Sequence, residues 1–156
     1  MGMDKTILII EKDPILLGIY KEILELYDYD VQIASNGAEG VEKFKQTNPS
    51  LVVIEGEMPV HDGYDTFKQI KEIDKNANAI IVTGGIEFES KNQEALDQGL
   101  IKVVLKPILV HELLNLAKRY TGIKLGKKFE GMEDQMLELT LNTDKFIKKL
   151  NKKLTG

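Results

Sequence analysis

Five short apolar runs punctuate the first two thirds of the chain, and each leads into a stretch whose apolar residues recur every three or four positions. The runs are Thr6–Ile10, Asp30–Ala34, Leu51–Ile54, Ala79–Thr83 and Ile101–Leu105. Three of them are nearly continuous in valine, isoleucine and leucine, the pattern of parallel strands covered on both faces. Between the runs the periodicity predicts helices. Pro14–Tyr27 has Asp13 as its N-cap and Pro14 at the first helical position, and is expected to bury Ile15, Ile19, Ile23 and Leu26. Asn36-Gly37 and Asp62-Gly63 make turns. They precede Ala38–Gln46, inward through Val41 and Phe44, and Tyr64–Ile73, inward through Phe67 and Ile70. Phe88–Gln98 is the weakest pattern, anchored by Ala95 and Leu96 and stopped by Gly99. Leu109–Tyr120 carries Leu113, Leu116 and Ala117. This (βα)5 alternation predicts an α/β fold, a doubly wound five-stranded parallel sheet with helices on both faces.

Thr121-Gly122-Ile123-Lys124-Leu125-Gly126 then interrupts the pattern. It divides the chain into a domain at 1–124 and a C-terminal α-helical extension at 125–156. In the extension Phe129, Met132, Met136, Leu139, Thr143, Phe146 and Leu150 alternate at spacings of three and four, a heptad seam. Two outcomes are open for it. The seam forms a coiled-coil homodimer, or it packs back on its own domain as a sixth helix.

Composition narrows the function classes. The 156 residues are 42% apolar and 29% charged with a net charge of −4, a balance that argues against a general nucleic-acid binder. Residues 1–124 hold 14 basic and 20 acidic side chains, and residues 125–156 hold 7 and 5. The lysines at 145, 148, 149, 152 and 153 read as a solvated cluster, not a membrane or nucleic-acid contact. The residues after 121 are too few for a helix-turn-helix domain. With no cysteine, disulfides and zinc-thiolate sites are excluded. No signal-peptide pattern or membrane-length apolar stretch is present, so the expected location is the cytoplasm.

The chemistry gathers where the strands end. The first runs into Glu11-Lys12-Asp13, the third into Glu55 and the fifth into Lys106-Pro107. The carboxyl edge of an open parallel sheet is where such folds hold ligands, so Glu55 should point into that crevice. His61 and His111 have no paired base or nucleophile near them in sequence and read as surface histidines. Asp13 reads as a helix cap rather than a replacement ligand for Lys12.

Five segments in order carry a resemblance: Ile7-Leu8-Ile9-Ile10-Glu11-Lys12-Asp13-Pro14, Ile54-Glu55-Gly56-Glu57-Met58-Pro59, Asp62-Gly63, Ile81-Val82-Thr83-Gly84 and Leu105-Lys106-Pro107. Over about residues 5–121 the chain resembles the receiver domain of two-component response regulators, of the chemotaxis-regulator kind. The resemblance implies a flavodoxin-like fold and a cis peptide before Pro107. It also implies a site where two acids after the first strand and an Asp after the third hold Mg²⁺. That Asp takes a phosphoryl group from a histidine kinase, and a hydroxyl and a lysine grip the phosphoryl oxygens.

The chain departs from this pattern at decisive positions. Glu55 stands at the phosphoacceptor position. Glu11 and Lys12 stand for the acid pair, and Glu57 stands where a backbone carbonyl would ligate metal. Thr83 and Lys106 match, whereas Val103 stands where a switch aromatic is expected. An ammonium at Lys12 offers no lone pair and repels a divalent ion, so Mg²⁺ binding is doubtful and no metal or cofactor is expected. Glu55 extends its carboxylate by roughly 1.5 Å over an aspartate, about one carbon–carbon bond. Its oxygens are expected within reach of Lys12, Lys106 and Thr83, ionised between the two lysines.

The expected function is therefore a non-enzymatic pseudo-receiver in phosphorelay signalling, a phosphorylation-independent protein-interaction module. Its charge cluster either mimics the phosphorylated state or, the favoured reading, locks one conformation. The expected partners are a histidine kinase or a downstream signalling protein, with no nucleic acid and no membrane. The alternative is a working phosphoacceptor that takes its phosphoryl group from a histidine kinase.

Overall fold

The computed structural model describes residues 5–84, 89–122, 142, 144–149 and 152–153. Its strands are β1 (Thr6–Ile10), β2 (Asp30–Ala34), β3 (Leu51–Glu55), β4 (Ala79–Thr83) and β5 (Lys102–Leu105). They alternate with α1 (Pro14–Leu26), α2 (Gly37–Thr47), α3 (Gly63–Ile73), α4 (Glu89–Asp97) and α5 (Val110–Thr121). The five strands form one parallel sheet in the order β2-β1-β3-β4-β5. Chain order reverses around β1 and β3, which opens a crevice beyond their carboxyl ends. No helix among the described residues is long and apolar enough to cross a membrane.

Side-chain alternation splits the strand residues between two cores. Ile7 and Ile9 of β1, Leu51 and Val53 of β3, and Ile80 and Val82 of β4 face α1 and α5. Leu8, Ile10, Val52, Ile54, Ala79 and Ile81 face the other way, onto Val41, Phe44, Tyr64, Phe67, Ile70 and Ala95 of α2, α3 and α4. Both faces of the three inner strands are thus dry, which is why those strands read as unbroken apolar runs. Local chemistry starts the helices. Asp13, Asn36 and Asp62 cap α1, α2 and α3 by accepting from the amides of Ile15, Glu39 and Asp65.

Two expectations are corrected, in α1 and in α4. In α1 the buried residues are Leu16, Leu17, Tyr20 and Leu24, while Ile15 and Leu26 are exposed and Ile19 and Ile23 partly buried. The helix is apolar on two stripes, and the sheet takes the one that carries the larger Tyr20. Leu96 of α4 is also exposed, which leaves Ala95 as that helix's buried contact. In the C-terminal extension Ile147 is fully buried in the core shared by α1 and α5, and its neighbour Phe146 is 55% exposed. Residues 144–149 therefore pack on their own domain through a position outside the expected seam. The other seam residues Phe129, Met132, Met136, Leu139, Thr143 and Leu150 lie outside the described residues. The Lys106–Pro107 peptide is cis, as the resemblance implied.

Candidate functional site

Four of the five strands, β1, β3, β4 and β5, each deliver one functional group to the crevice. β1 ends at Ile10, and the next residue, Glu11, turns inward and is buried while its amide still bonds to Ala34 O at 3.0 Å. Lys12, one step on in the same alternation, is exposed. Glu55 is the last residue of β3 and only 1% exposed. Thr83 closes β4 and is fully buried. Lys106 follows β5, its amide held by Thr83 O at 2.8 Å.

The side chains meet around Lys106. Its ammonium closes directly onto Glu55 Oε2 and lies 3.7 Å from Glu11 Oε1. Each carboxylate is also tied to its own loop. The Asp13 amide donates to Glu11 Oε1 at 3.1 Å, and the Glu57 amide donates to Glu55 Oε1 at 3.1 Å. Two glycines let the strands and loops close this far. A Cβ on Gly56 would stand 2.9 Å from Thr83 Cβ. One on Gly63 would strike the Glu55 carbonyl and lie 2.9 Å from Gly56 Cα. Gly63 also anchors the loop by donating to Gly56 O at 3.0 Å. Glu57 is half-buried and stands near Gly84, where the stem of Lys106 also passes.

The electrostatics differ from the expected pair of lysines around an acid. Among the described residues Lys12 makes no ion pair; one lysine serves two acids. Burial pushes the Glu11 carboxyl up to about 8, and its hydrogen bond with Glu55 and the charge of Glu55 push the same way. The ammonium of Lys106 and the Asp13 amide oppose this without overcoming it. At neutral pH Glu11 is thus protonated. Burial pulls the Lys106 ammonium down, but its hydrogen bond with Glu55 and the charges of Glu11, Glu55 and Glu57 outweigh it, so the net shift is upward. Tyr20 of α1 is buried beside the cluster, and its hydroxyl is pushed up by burial first and then by Glu11, Glu55, Asp13 and Asp144. Among the described residues no three His, Asp or Glu side chains converge so as to hold a metal ion.

One contact lay beyond the sequence reading. His111 is at the surface, as expected, but its Nδ1 lies 2.8 Å from Asp144 Oδ2 in the C-terminal extension, and Asp144 is buried. The other oxygen, Asp144 Oδ1, accepts from the Val110 amide at the start of α5. The available signal was Leu109. It occupies the N-cap position of α5 and has no side chain able to cap it.

The comparisons agree with the fold. Residues 7–118 match the model of the response regulator receiver domain. The chain is 30% identical over 127 residues to the probable C4-dicarboxylate response regulator DctR of Priestia megaterium, covering 79% of this chain and 55% of that protein. It therefore spans about half the length of that relative. It is 33% identical over 105 residues to the chemotaxis protein CheY of Halobacterium salinarum, covering 67% of this chain and 87% of that one. A crystal structure of a CheY-like response regulator receiver domain protein from Methanospirillum hungatei superimposes with a TM-score of 0.70 at 26% identity, covering 75% of this chain and 93% of that one. With the (βα)5 sheet, the cis Lys106–Pro107 peptide and the acids and lysine converging at its carboxyl edge, the chain belongs to the response regulator receiver domain family of two-component signalling.

Proposed function

We propose that this receiver works without accepting a phosphoryl group, as a cytoplasmic protein-interaction module whose partners are a histidine kinase or a downstream signalling protein. The observation that carries the reading is the closure of Lys106 onto Glu55, with Glu11 at 3.7 Å. The lysine that would meet an incoming phosphoryl group is already neutralised by the chain's own carboxylate. A phosphoryl donor would have to break a buried ion pair before transfer, and removing one partner of such a pair leaves an uncompensated charge.

Mg²⁺ fits these residues poorly. The ion demands hard oxygen ligands in octahedral geometry. Lys12 stands in place of one of the two acids, and protonated Glu11 is a weak ligand for a divalent cation. Phosphoryl transfer to a carboxylate depends on neutralising the charge that develops on the transferring group. With Lys12 in one acid's place, Glu11 protonated and Lys106 committed to Glu55, the residues supply that neutralisation poorly, which supports a non-enzymatic reading. Buried Thr83 against Gly56, with Val103 in place of an aromatic, supports a locked scaffold over a switching one.

The reading is tested by Mg²⁺ titration. The wild-type chain should show no saturable binding in the millimolar range, and the Lys12→Asp Glu55→Asp double variant should gain it. Tight Mg²⁺ binding by the wild type would overturn this assignment of the pocket.

A further inference from the structure

The helices α1, α2 and α3 carry their own caps, but α5 borrows one. Its N-cap residue Leu109 makes no side-chain cap bond, and Asp144, 34 residues further along the chain, accepts from the Val110 amide instead. The buried carboxylate sits where the helix dipole favours an anion, and His111 supplies its second partner at 2.8 Å. Three residues on, Ile147 is wholly buried in the α1–α5 core, while Lys145, Phe146, Lys148 and Lys149 are exposed. Among the described residues the segment is held by Ile147 and by Asp144, which meets both the Val110 amide and His111.

The same cap lies four residues from the charge cluster. Between Lys106 and Val110 the chain is fastened at both ends. Glu55 and Thr83 O hold Lys106, Asp144 holds Val110, and Ile108 between them is fully buried. A second connection runs through α1. Buried Tyr20 feels the charges of Glu11, Glu55 and Asp144 alike. Packed side chains and hydrogen bonds carry coupling where the element between them has two arrangements that both ends bias, here the latch seated or released.

We propose that segment 144–149 is an internal latch whose seating on the start of α5 is energetically linked to the Glu11–Glu55–Lys106 cluster. A protein that displaces the latch thereby alters the cluster, and a change in the cluster loosens the latch. The displacing partner is one that offers an acid to the Val110 amide and His111 and an aliphatic side chain about one helical turn away. This supplies the regulation for the phosphorylation-independent module and rests on that reading for its meaning, although not for its test.

Hydrogen exchange on the full chain tests it in both directions, because linkage is reciprocal. Lys106→Met should speed amide exchange in 144–149 by about fivefold or more. Lys75→Met, at an exposed lysine between α3 and β4, should not. Asp144→Ala should in turn speed exchange of the Lys106 amide, which is bonded to Thr83 O. An unchanged Lys106 amide in Asp144→Ala overturns the proposal. So does unchanged exchange of 144–149 in a Lys106→Met chain that keeps its β3 protection. Should Lys106→Met lose its β3 protection as well, the Asp144→Ala arm decides alone. A phosphoryl adduct would sink the proposed function and leave both rates as predicted here.

Discussion

The Lys106 ammonium is shared unequally between two buried acids: it closes onto Glu55 and stands 3.7 Å from Glu11. Glu55 is 1% exposed and Lys106 only 15% exposed at its side chain, so the pair is largely withdrawn from water. Lys106→Met should therefore cost about 3–5 kcal/mol, most of it from the carboxylate left without a counter-charge. Adding Glu55→Leu to that variant should recover a large part of the loss. Urea unfolding of the wild type, both single variants and the double variant measures the cycle. A Lys106→Met chain as stable as wild type would show that the pair is open to solvent.

The carboxyl of Glu11 gives the domain a pH dependence of unusual sign for an acid. Its folded value of about 8 lies above its ordinary value of 4.5, so between those limits the folded state binds a proton that the unfolded chain releases. Stability from this group is complete below the unfolded value and falls as the pH rises toward 8, by up to about 1.4 kcal/mol per pH unit, then levels off. Glu11→Gln imitates the protonated acid and should flatten this slope. Unfolding midpoints at several pH values from 5 to 9 would check it, and equal slopes in the two proteins would refute the raised Glu11 carboxyl.

Gly63→Ala should destabilise the domain by about 1–3 kcal/mol. The added methyl would meet the Glu55 carbonyl and Gly56 Cα, both backbone atoms that cannot swing aside. Glycine at α3's start is thus a requirement of the site as well as of the turn. Thermal unfolding compares the variant with Gly18→Ala, where a Cβ meets nothing within 4 Å.

Ile147→Ala should cost about 2–5 kcal/mol, since a wholly buried side chain is removed from the α1–α5 core. Phe146→Ala, at a half-exposed position, should stay within about 0.5 kcal/mol. The reverse ranking would favour a segment held through the heptad seam.

The strands were legible in the sequence because both faces of the inner sheet are buried. Leu51–Glu55 and Ala79–Thr83 could hardly be read otherwise. The cap Asp13 was equally plain, because it bonds an amide two residues away, whereas Asn36 and Asp62 were legible as turns and the structure makes them caps as well. The face of α1 was not legible. Ile15-Ile19-Ile23 and Leu16-Tyr20-Leu24 are both self-consistent stripes, and only the sheet chooses between them. The site was legible as a set of residues but not as a circuit. Alternation along the chain sends Glu11 inward and Lys12 outward, so one lysine and a protonated acid replace the expected pair of lysines. Asp144 was hidden for another reason, since its partners Val110 and His111 lie more than thirty residues away.

The measurement that bears most directly on the central claim is the intact mass of the chain after incubation with acetyl phosphate and Mg²⁺, beside a phosphorylatable receiver as control. The charge cluster around Lys106 predicts an unchanged mass while the control gains a phosphoryl group. A phosphoryl adduct on the wild-type chain that disappears in Glu55→Gln would contradict the account and make Glu55 a working acceptor.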